Sequence, residues 1–255
     1  MLEDVFKYKN LIEELVKRDI KKKYRRSILG YLWSMLNPLL MMLITAMVFS
    51  NLFRFEIHNF VLYLLTGQIM FTFYAEATNF AMGSILENGS LIKKVYVPKY
   101  LFPISRVASS AVNLIFTMPA MLAIMIYTNQ PISPLLIVCL VPLGLLLVFC
   151  LGIGLILASV AVYFRDVFHL YGVLLTALNY ATPIFYPEKI IPEKYRFLIE
   201  LNPLTYYLQA FRDIVYSNKM PSIELLGICF ILSVAAMCIG TYVFRKKQNN
   251  FVLYI

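Results

Sequence analysis

The sequence predicts an all-α polytopic membrane protein, and three observations carry that reading. Of the 255 residues 60% are hydrophobic and 15% charged, with a mean hydropathy of +0.73, whereas soluble domains hold nearer half apolar. Several apolar runs reach the roughly 20 residues that a helix needs to cross hydrocarbon. The alternation over about ten residues that marks a β-barrel strand is absent.

Met1 to Gly30 is rich in charge and lacks the apolar core and small-residue cleavage site of a signal peptide. Within it Ile12, Val16, Ile20 and Tyr24 recur every four residues beside Leu11 and Leu15. Lys17, Lys21 and Arg25 form the neighbouring stripe, and Glu13–Lys17 and Glu14–Arg18 are pairs of favourable order. Residues 1–30 therefore read as a cytoplasmic amphipathic interface helix, its basic side toward anionic headgroups. The competing reading, a solvated charge cluster that sets topology, leaves the apolar stripe without a role. Gly30 supplies a flexible joint, and Tyr31 and Trp33 suit the headgroup layer.

A single membrane domain, 31–247, follows. Span one covers about 35–53, where Asn37-Pro38 is tolerated in the first turn. A short outer loop, 54–59, leads to span two, about 60–82. Glu76 within it is either a functional intramembrane carboxylate or a boundary residue that meets water or a neighbouring helix, and the second reading weighs at least as much. Residues 83–103 form a polar, basic loop. Span three runs about 104–127, with Arg106 near the inner surface and Pro119 a candidate kink. Span four, about 135–164, is long enough to require tilt. Span five covers about 167–182 and span six about 225–244, with a tail at 248–255.

Between the last two spans, 183–221 breaks the pattern. Tyr180-Ala-Thr-Pro-Ile-Phe-Tyr-Pro187 ends an apolar run with two prolines, and two short half-apolar pieces follow, the second within Asn202-Pro-Leu-Thr-Tyr-Tyr-Leu-Gln-Ala-Phe-Arg-Asp213. Each is too brief to cross a bilayer. The 23 Lys and Arg residues fix the side: 17 fall on the proposed inner segments, Arg54 alone on the two short outer loops, and five between spans five and six, where Glu188, Glu193, Glu200 and Asp213 balance them. Six spans with both termini cytoplasmic follow, and 183–221 faces outside. Irregular backbone at membrane depth is acceptable only against protein or water, which makes this segment a re-entrant helical hairpin.

Several chemistries find no residues to perform them. No glycine is followed by lysine, so the chain has no Walker A loop. Cys139, Cys150, Cys229 and Cys238 lie in apolar runs and His58 and His169 are isolated, so no metal site is expected. The basic residues track topology, and no nucleic-acid partner is expected.

Four stretches, in order, resemble the membrane subunits of bacterial ABC type-2 exporters, in the branch that exports O-antigen, capsule and teichoic-acid polymers. They are Arg18-Asp-Ile-Lys with Tyr24-Arg-Arg-Ser-Ile-Leu-Gly-Tyr-Leu-Trp-Ser-Met-Leu-Asn-Pro38, Glu87-Asn-Gly-Ser-Leu-Ile-Lys-Lys-Val-Tyr-Val-Pro98, Tyr163-Phe-Arg-Asp166, and Pro183 through Asp213. The resemblance implies a homodimer joined to two copies of a separate ATP-binding subunit. ATP and magnesium would be bound by that partner, and this chain would be no enzyme and hold no cofactor. It implies a coupling helix around Glu87, Leu91, Ile92, Lys93 and Val95 that seats the ATPase. A substrate would enter beside Arg25, Leu29, Gly30, Tyr31 and Trp33. The external gate would comprise Tyr180, Pro183, Phe185, Tyr186, Pro203, Tyr206 and Tyr207. The substrate implied is a polysaccharide on undecaprenyl diphosphate, moved across the bacterial cytoplasmic membrane. Aromatic rings stack on the apolar faces of sugars, so Phe71, Phe73, Tyr74, Tyr180, Phe185, Tyr186, Tyr206 and Tyr207 are candidates for lining a glycan path. For each alone, core packing or an interfacial belt is the commoner role. An exporter of drugs or small lipids is the alternative within the class. A membrane-embedded enzyme acting on isoprenoid phosphates is a further one, disfavoured because the loops offer too few acidic or histidine groups. A passive channel lacks a filter motif.

Overall fold

The computed structural model describes residues 6–25, 27–53 and 57–255. Residues 1–5 and Arg26 of the expected interface segment, and Arg54 to Glu56 of the expected outer loop, lie outside the described residues. Among those described, every regular element is helical. In order they are α1 (Lys9–Tyr24), α2 (Leu32–Phe53), α3 (Phe60–Glu87), α4 (Gly89–Lys94), α5 (Leu101–Tyr127), α6 (Leu140–Tyr163), α7 (Val167–Ala181), α8 (Glu193–Glu200), α9 (Pro203–Val215) and α10 (Ile223–Lys247). A 3-10 turn, Pro134–Cys139, leads into α6, and another, Gln248–Leu253, follows α10.

Five stretches are long and apolar enough to cross a membrane: Leu32–Phe49, Phe60–Glu87, Leu101–Tyr127, Pro134–Ala161 and Ile223–Leu253. The segment read as span five folds as α7, a helix of 15 residues. At 1.5 Å per residue it is about 22 Å long, short of the ~30 Å of hydrocarbon. It lies beside the middle of α3, where Tyr171 donates to Thr78 Oγ1 at 2.6 Å. Phe168 at its start lies beside Gly83, and Ile184, three residues past its end, lies beside Gly67.

Helix starts follow local chemistry. Asn59 adopts a left-handed conformation (φ 50) and its side chain accepts from Leu62 N; Ser222 accepts from Leu225 N at the head of α10. Asn202 does the same for α9, accepting from Leu204 N, with Pro203 in the first turn. Gly30 takes φ +50, which lets the chain turn from α1 into α2.

The core lies along α3, whose Leu62, Leu65, Ile69, Phe73 and Ala77 are buried between α5, α6 and α9. The backbones of α6 and α10 approach each other closely. A Cβ on Gly152 would collide with the Ala236 backbone, and one on Gly240 with the Gly152 carbonyl. Such small-residue contacts are how helices pack closely where lipid removes the hydrophobic drive. At one end of the bundle a second cluster gathers Leu15 of α1, Ile85 of α3, Phe102 of α5, Val162 of α6 and Phe244 and Phe251 of the C-terminal segment. The chain's beginning and end therefore sit together, called here the terminal end. Residues 248–255, read from sequence as a tail, fold back onto this cluster: Phe251 is buried, and Lys99 Nζ donates to Gln248 O at 2.7 Å.

Candidate functional site

At the end of the bundle opposite the termini, the proline-rich break after α7 is clamped by one side chain. Arg212 of α9 is buried. Its Nη1 donates to Pro183 O at 2.6 Å, its Nη2 to Tyr63 O at 3.0 Å and Ile184 O at 3.3 Å, and its Nε to Thr66 Oγ1 at 3.4 Å. The guanidinium carbon lies 3.5 Å from the centre of the Tyr63 ring. Oxygen dipoles and a π face thus replace the water that this charge has lost. Burial draws the guanidinium down to about 10, so it keeps its proton at pH 7.

Tyr63 completes the clamp by donating its hydroxyl to Pro183 O at 3.1 Å and Tyr186 O at 2.8 Å. Asn202 Nδ2 donates to Thr182 Oγ1 at 2.8 Å, which pins the head of α9 to the end of α7. Tyr216 donates to His58 O, and Gln130 Nε2 to Tyr216 O at 2.7 Å, tying the remaining loops to the same end. A cavity of about 580 Å³ opens beside the clamp, lined among others by His58, Tyr63, Glu188, Gln209 and Asp213. Burial pushes the Asp213 carboxyl upward from its ordinary value, and Lys219 opposes that shift.

The sequence-selected aromatics divide into two groups. Phe73, Tyr74 and Tyr207 are buried. Tyr74 stacks on Phe149 and Tyr207 hydrogen-bonds Cys229 O at 3.0 Å and Ser233 Oγ at 2.7 Å, so all three serve packing in this state. Tyr180 is exposed, while Phe71, Phe185, Tyr186 and Tyr206 are half-buried. Phe185 stacks on Phe49 at 5.3 Å, Tyr186 donates to Tyr180 O at 2.5 Å and Tyr206 to Glu200 O at 2.7 Å. Pro183 is buried under the clamp, and Pro203 is half-buried.

At the terminal end, Glu87 closes α3 and α4 follows it directly. Leu91 and Ile92 lean against the Leu15–Phe251 cluster, and Lys93 Nζ donates to Ile255 O at 2.5 Å. Val95 is exposed, as is Tyr96, which the sequence reading did not select. Arg25, Leu29, Tyr31 and Trp33 are exposed and Gly30 half-buried, with Tyr31 against Tyr24 at 5.0 Å and Phe116 at 5.5 Å. Glu76 meets neighbouring helices: Lys23 Nζ of α1 lies 2.9 Å from its Oε1, and Asn113 Nδ2 of α5 donates to the same oxygen at 2.5 Å.

Arg212, Tyr63, Lys23 and Asn113 escaped the sequence reading. Arg212 carried one signal, a cation on an otherwise apolar face of a short helix. The others acquire meaning only through partners distant in sequence.

The sequence profile of the ABC-2 type transporter family matches residues 10–216. The O-antigen export system permease protein RfbA of Klebsiella pneumoniae is 29% identical over 244 residues, covering 95% of this chain and 93% of its own length. The protein of the same name from Myxococcus xanthus is also 29% identical, covering 98% and 97%. The capsule polysaccharide export inner-membrane protein CtrC of Neisseria meningitidis is 24% identical, covering 98% and 95%.

Proposed function

This chain belongs to the ABC-2 type transporter family, and we propose that it is the membrane subunit of an exporter for a bacterial surface polysaccharide of the O-antigen or capsule kind. The observation that carries the reading is likeness along nearly the whole chain to export permeases of that kind. The chain works in the bacterial cytoplasmic membrane. Its five long apolar helices cross the bilayer, and α7 makes the sixth crossing with the help of the bent segment 182–187 that follows it. Both termini face the cytoplasm, so the clamped segment, α8 and α9 form an external gate.

Two copies of the chain enclose the path. Two ATP-binding subunits dock at the terminal end, where Val95 and Tyr96 project and Glu87, Leu91, Ile92 and Lys93 form the base of the docking elbow. ATP and magnesium are held by those subunits. The polymer travels on undecaprenyl diphosphate and enters beside Arg25, Leu29, Gly30, Tyr31 and Trp33. Tyr180, Phe185, Tyr186, Tyr206 and Phe71 offer ring faces to sugars, while Phe73, Tyr74 and Tyr207 back the wall. Deleting the gene should remove polymer from the cell surface and accumulate it on lipid carrier inside. Unchanged surface polymer, with a drug or lipid retained instead, would replace this reading with the small-molecule one.

A further inference from the structure

Two polar rungs tie α1 to the bundle. In the first, Arg106 of α5 places Nη1 3.3 Å from Asp19 Oδ2 and Nη2 2.7 Å from Glu87 Oε2, with its side chain 9% exposed and that of Asp19 6%. The second, one helical turn along α1, joins Lys23 to Glu76 and Asn113. Asp19 and Lys23 stand four residues apart on one face of α1. Glu76 and Glu87 lie about three turns apart on α3, and Arg106 and Asn113 about two turns apart on α5, so each helix presents both rungs from a single side.

The first rung is joined to α4 without slack. Asn88 Nδ2 donates to Ser84 O at 2.7 Å, and Asn88 O accepts from Leu91 N and Ile92 N at 3.0 Å, locking the end of α3 to the start of α4. A Cβ on Gly83 would come within 2.9 Å of Glu87 Oε1, so the carboxylate occupies room that this glycine leaves. Any displacement of α4 therefore moves Glu87.

Stability alone gives a poor account of the rung. The Asp19–Arg106 pair is buried, where an ion pair is commonly no better than apolar side chains of the same volume, while Glu87, its side chain 50% exposed, adds only a part-screened pair. The rung also leaves Arg106 Nε without a hydrogen bond, and Asp19 Oδ2 meets Arg106 without forming one. Arg106 holds Glu87 tightly and Asp19 more loosely, and Asp19 Oδ1 is also met by Arg18 Nη2 at 3.1 Å, so the Arg106–Asp19 contact can shift while both carboxylates stay neutralised. We propose that Arg106 is a positioning residue that passes movement of α4 through Glu87 to Asp19, and so to α1. The proposal rests on the reading that α4 seats an ATP-binding subunit.

The test compares surface polymer on complemented null cells with ATP hydrolysis by the purified whole transporter. Asp19→Asn should lower surface polymer at least tenfold while ATP hydrolysis stays within twofold, and Asp19→Glu should restore at least half of the export. Arg106→Lys, which keeps a cation but not the fork, should give an intermediate loss at normal membrane yield. The double variant Asp19→Asn with Glu87→Gln should export no worse than the weaker single variant. The relay is overturned if Asp19→Asn exports normally, if ATP hydrolysis falls in step with export, or if the two losses multiply. Failure of the wild-type chain to co-purify with any ATP-binding subunit overturns the functional reading itself, and the relay with it.

Discussion

The Arg212 guanidinium carbon lies 3.5 Å from the centre of the Tyr63 ring while the group donates to carbonyls of the break after α7 and of α3. One residue thus fixes three pieces of chain: α9, the first turn of α3 and the 182–187 segment. Removing it takes a donor from the Pro183, Ile184 and Tyr63 carbonyls and leaves Pro183 O with the Tyr63 hydroxyl. Arg212→Met should cost about 3 kcal/mol, the scale for losing a buried, hydrogen-bonded charge. Hydrogen exchange at Ile184, whose amide donates to Thr182 O within the clamped segment, should accelerate about 100-fold as the clamp opens. Arg212→Lys should recover less than half, because an ammonium neither forks nor stacks in this way. Protection unchanged in Arg212→Met would mean that the prolines hold the segment unaided.

The clamp also depends on what is missing beneath it. A Cβ on Gly67 would lie 2.9 Å from both Arg212 Nη2 and Ile184 Cγ2, and 3.2 Å from Ile184 Cα. Backbone is among those neighbours, so rotation of a side chain cannot relieve the contact. Gly67→Ala should destabilise by about 1–3 kcal/mol, as overpacking does, even though alanine is the better helix former. Chemical unfolding in detergent measures it, and a stabilised variant would show that α3 and the break are less closely apposed than the geometry requires.

Much of this architecture was legible in the sequence, for reasons that particular residues make plain. The every-fourth-residue apolar stripe of α1 exists because Leu15 and Ile20 are buried, and Asn202-Pro203 marks the head of α9 because side-chain capping and the fixed φ of proline are local effects. The joining of distant residues was not legible. Glu76 announced itself as a carboxylate inside a span, but Lys23 is 53 positions away, and no periodicity reports such a contact. The coupling role of Leu91 and Ile92 came from resemblance alone, and their packing against the cluster that holds Phe251 was not legible because the C-terminal segment shows no helical pattern strong enough to be placed. Arg212 went unselected because a cation beside Asp213 reads as surface, whereas its partners are backbone carbonyls that every sequence contains.

The Lys23–Glu76 rung should show energetic coupling. Their side chains are 35% and 18% exposed, so the pair is only partly screened. Lys23→Met leaves the carboxylate with Asn113 as its polar partner, and Glu76→Gln leaves the ammonium near an amide. Each should cost about 1 kcal/mol, and the double variant should fall short of the sum by about 0.5–1 kcal/mol. Additive losses in a thermal-unfolding cycle would show that the two side chains do not interact in the membrane.

The α6–α10 crossing makes the sharpest contrast available within one helix. Gly144 and Gly152 both lie in α6, yet a Cβ on Gly144 meets nothing within 4 Å, while one on Gly152 collides with the Ala236 backbone. Gly144→Ala should therefore be neutral or stabilising by up to about 1 kcal/mol through helix propensity. Gly152→Ala must instead separate two helices whose backbones touch, at a cost of about 1–3 kcal/mol or more. The bond from Ser233 Oγ to Leu145 O at 2.8 Å crosses the same seam, and Ser233 Oγ also bonds Tyr207 of α9 at 2.7 Å, so spreading the seam should also loosen α9. Gly152→Ala should thus speed exchange at Leu208 and Phe211 as well as lower the unfolding midpoint, whereas Gly144→Ala should do neither. Equal midpoints for the two variants would refute the close crossing.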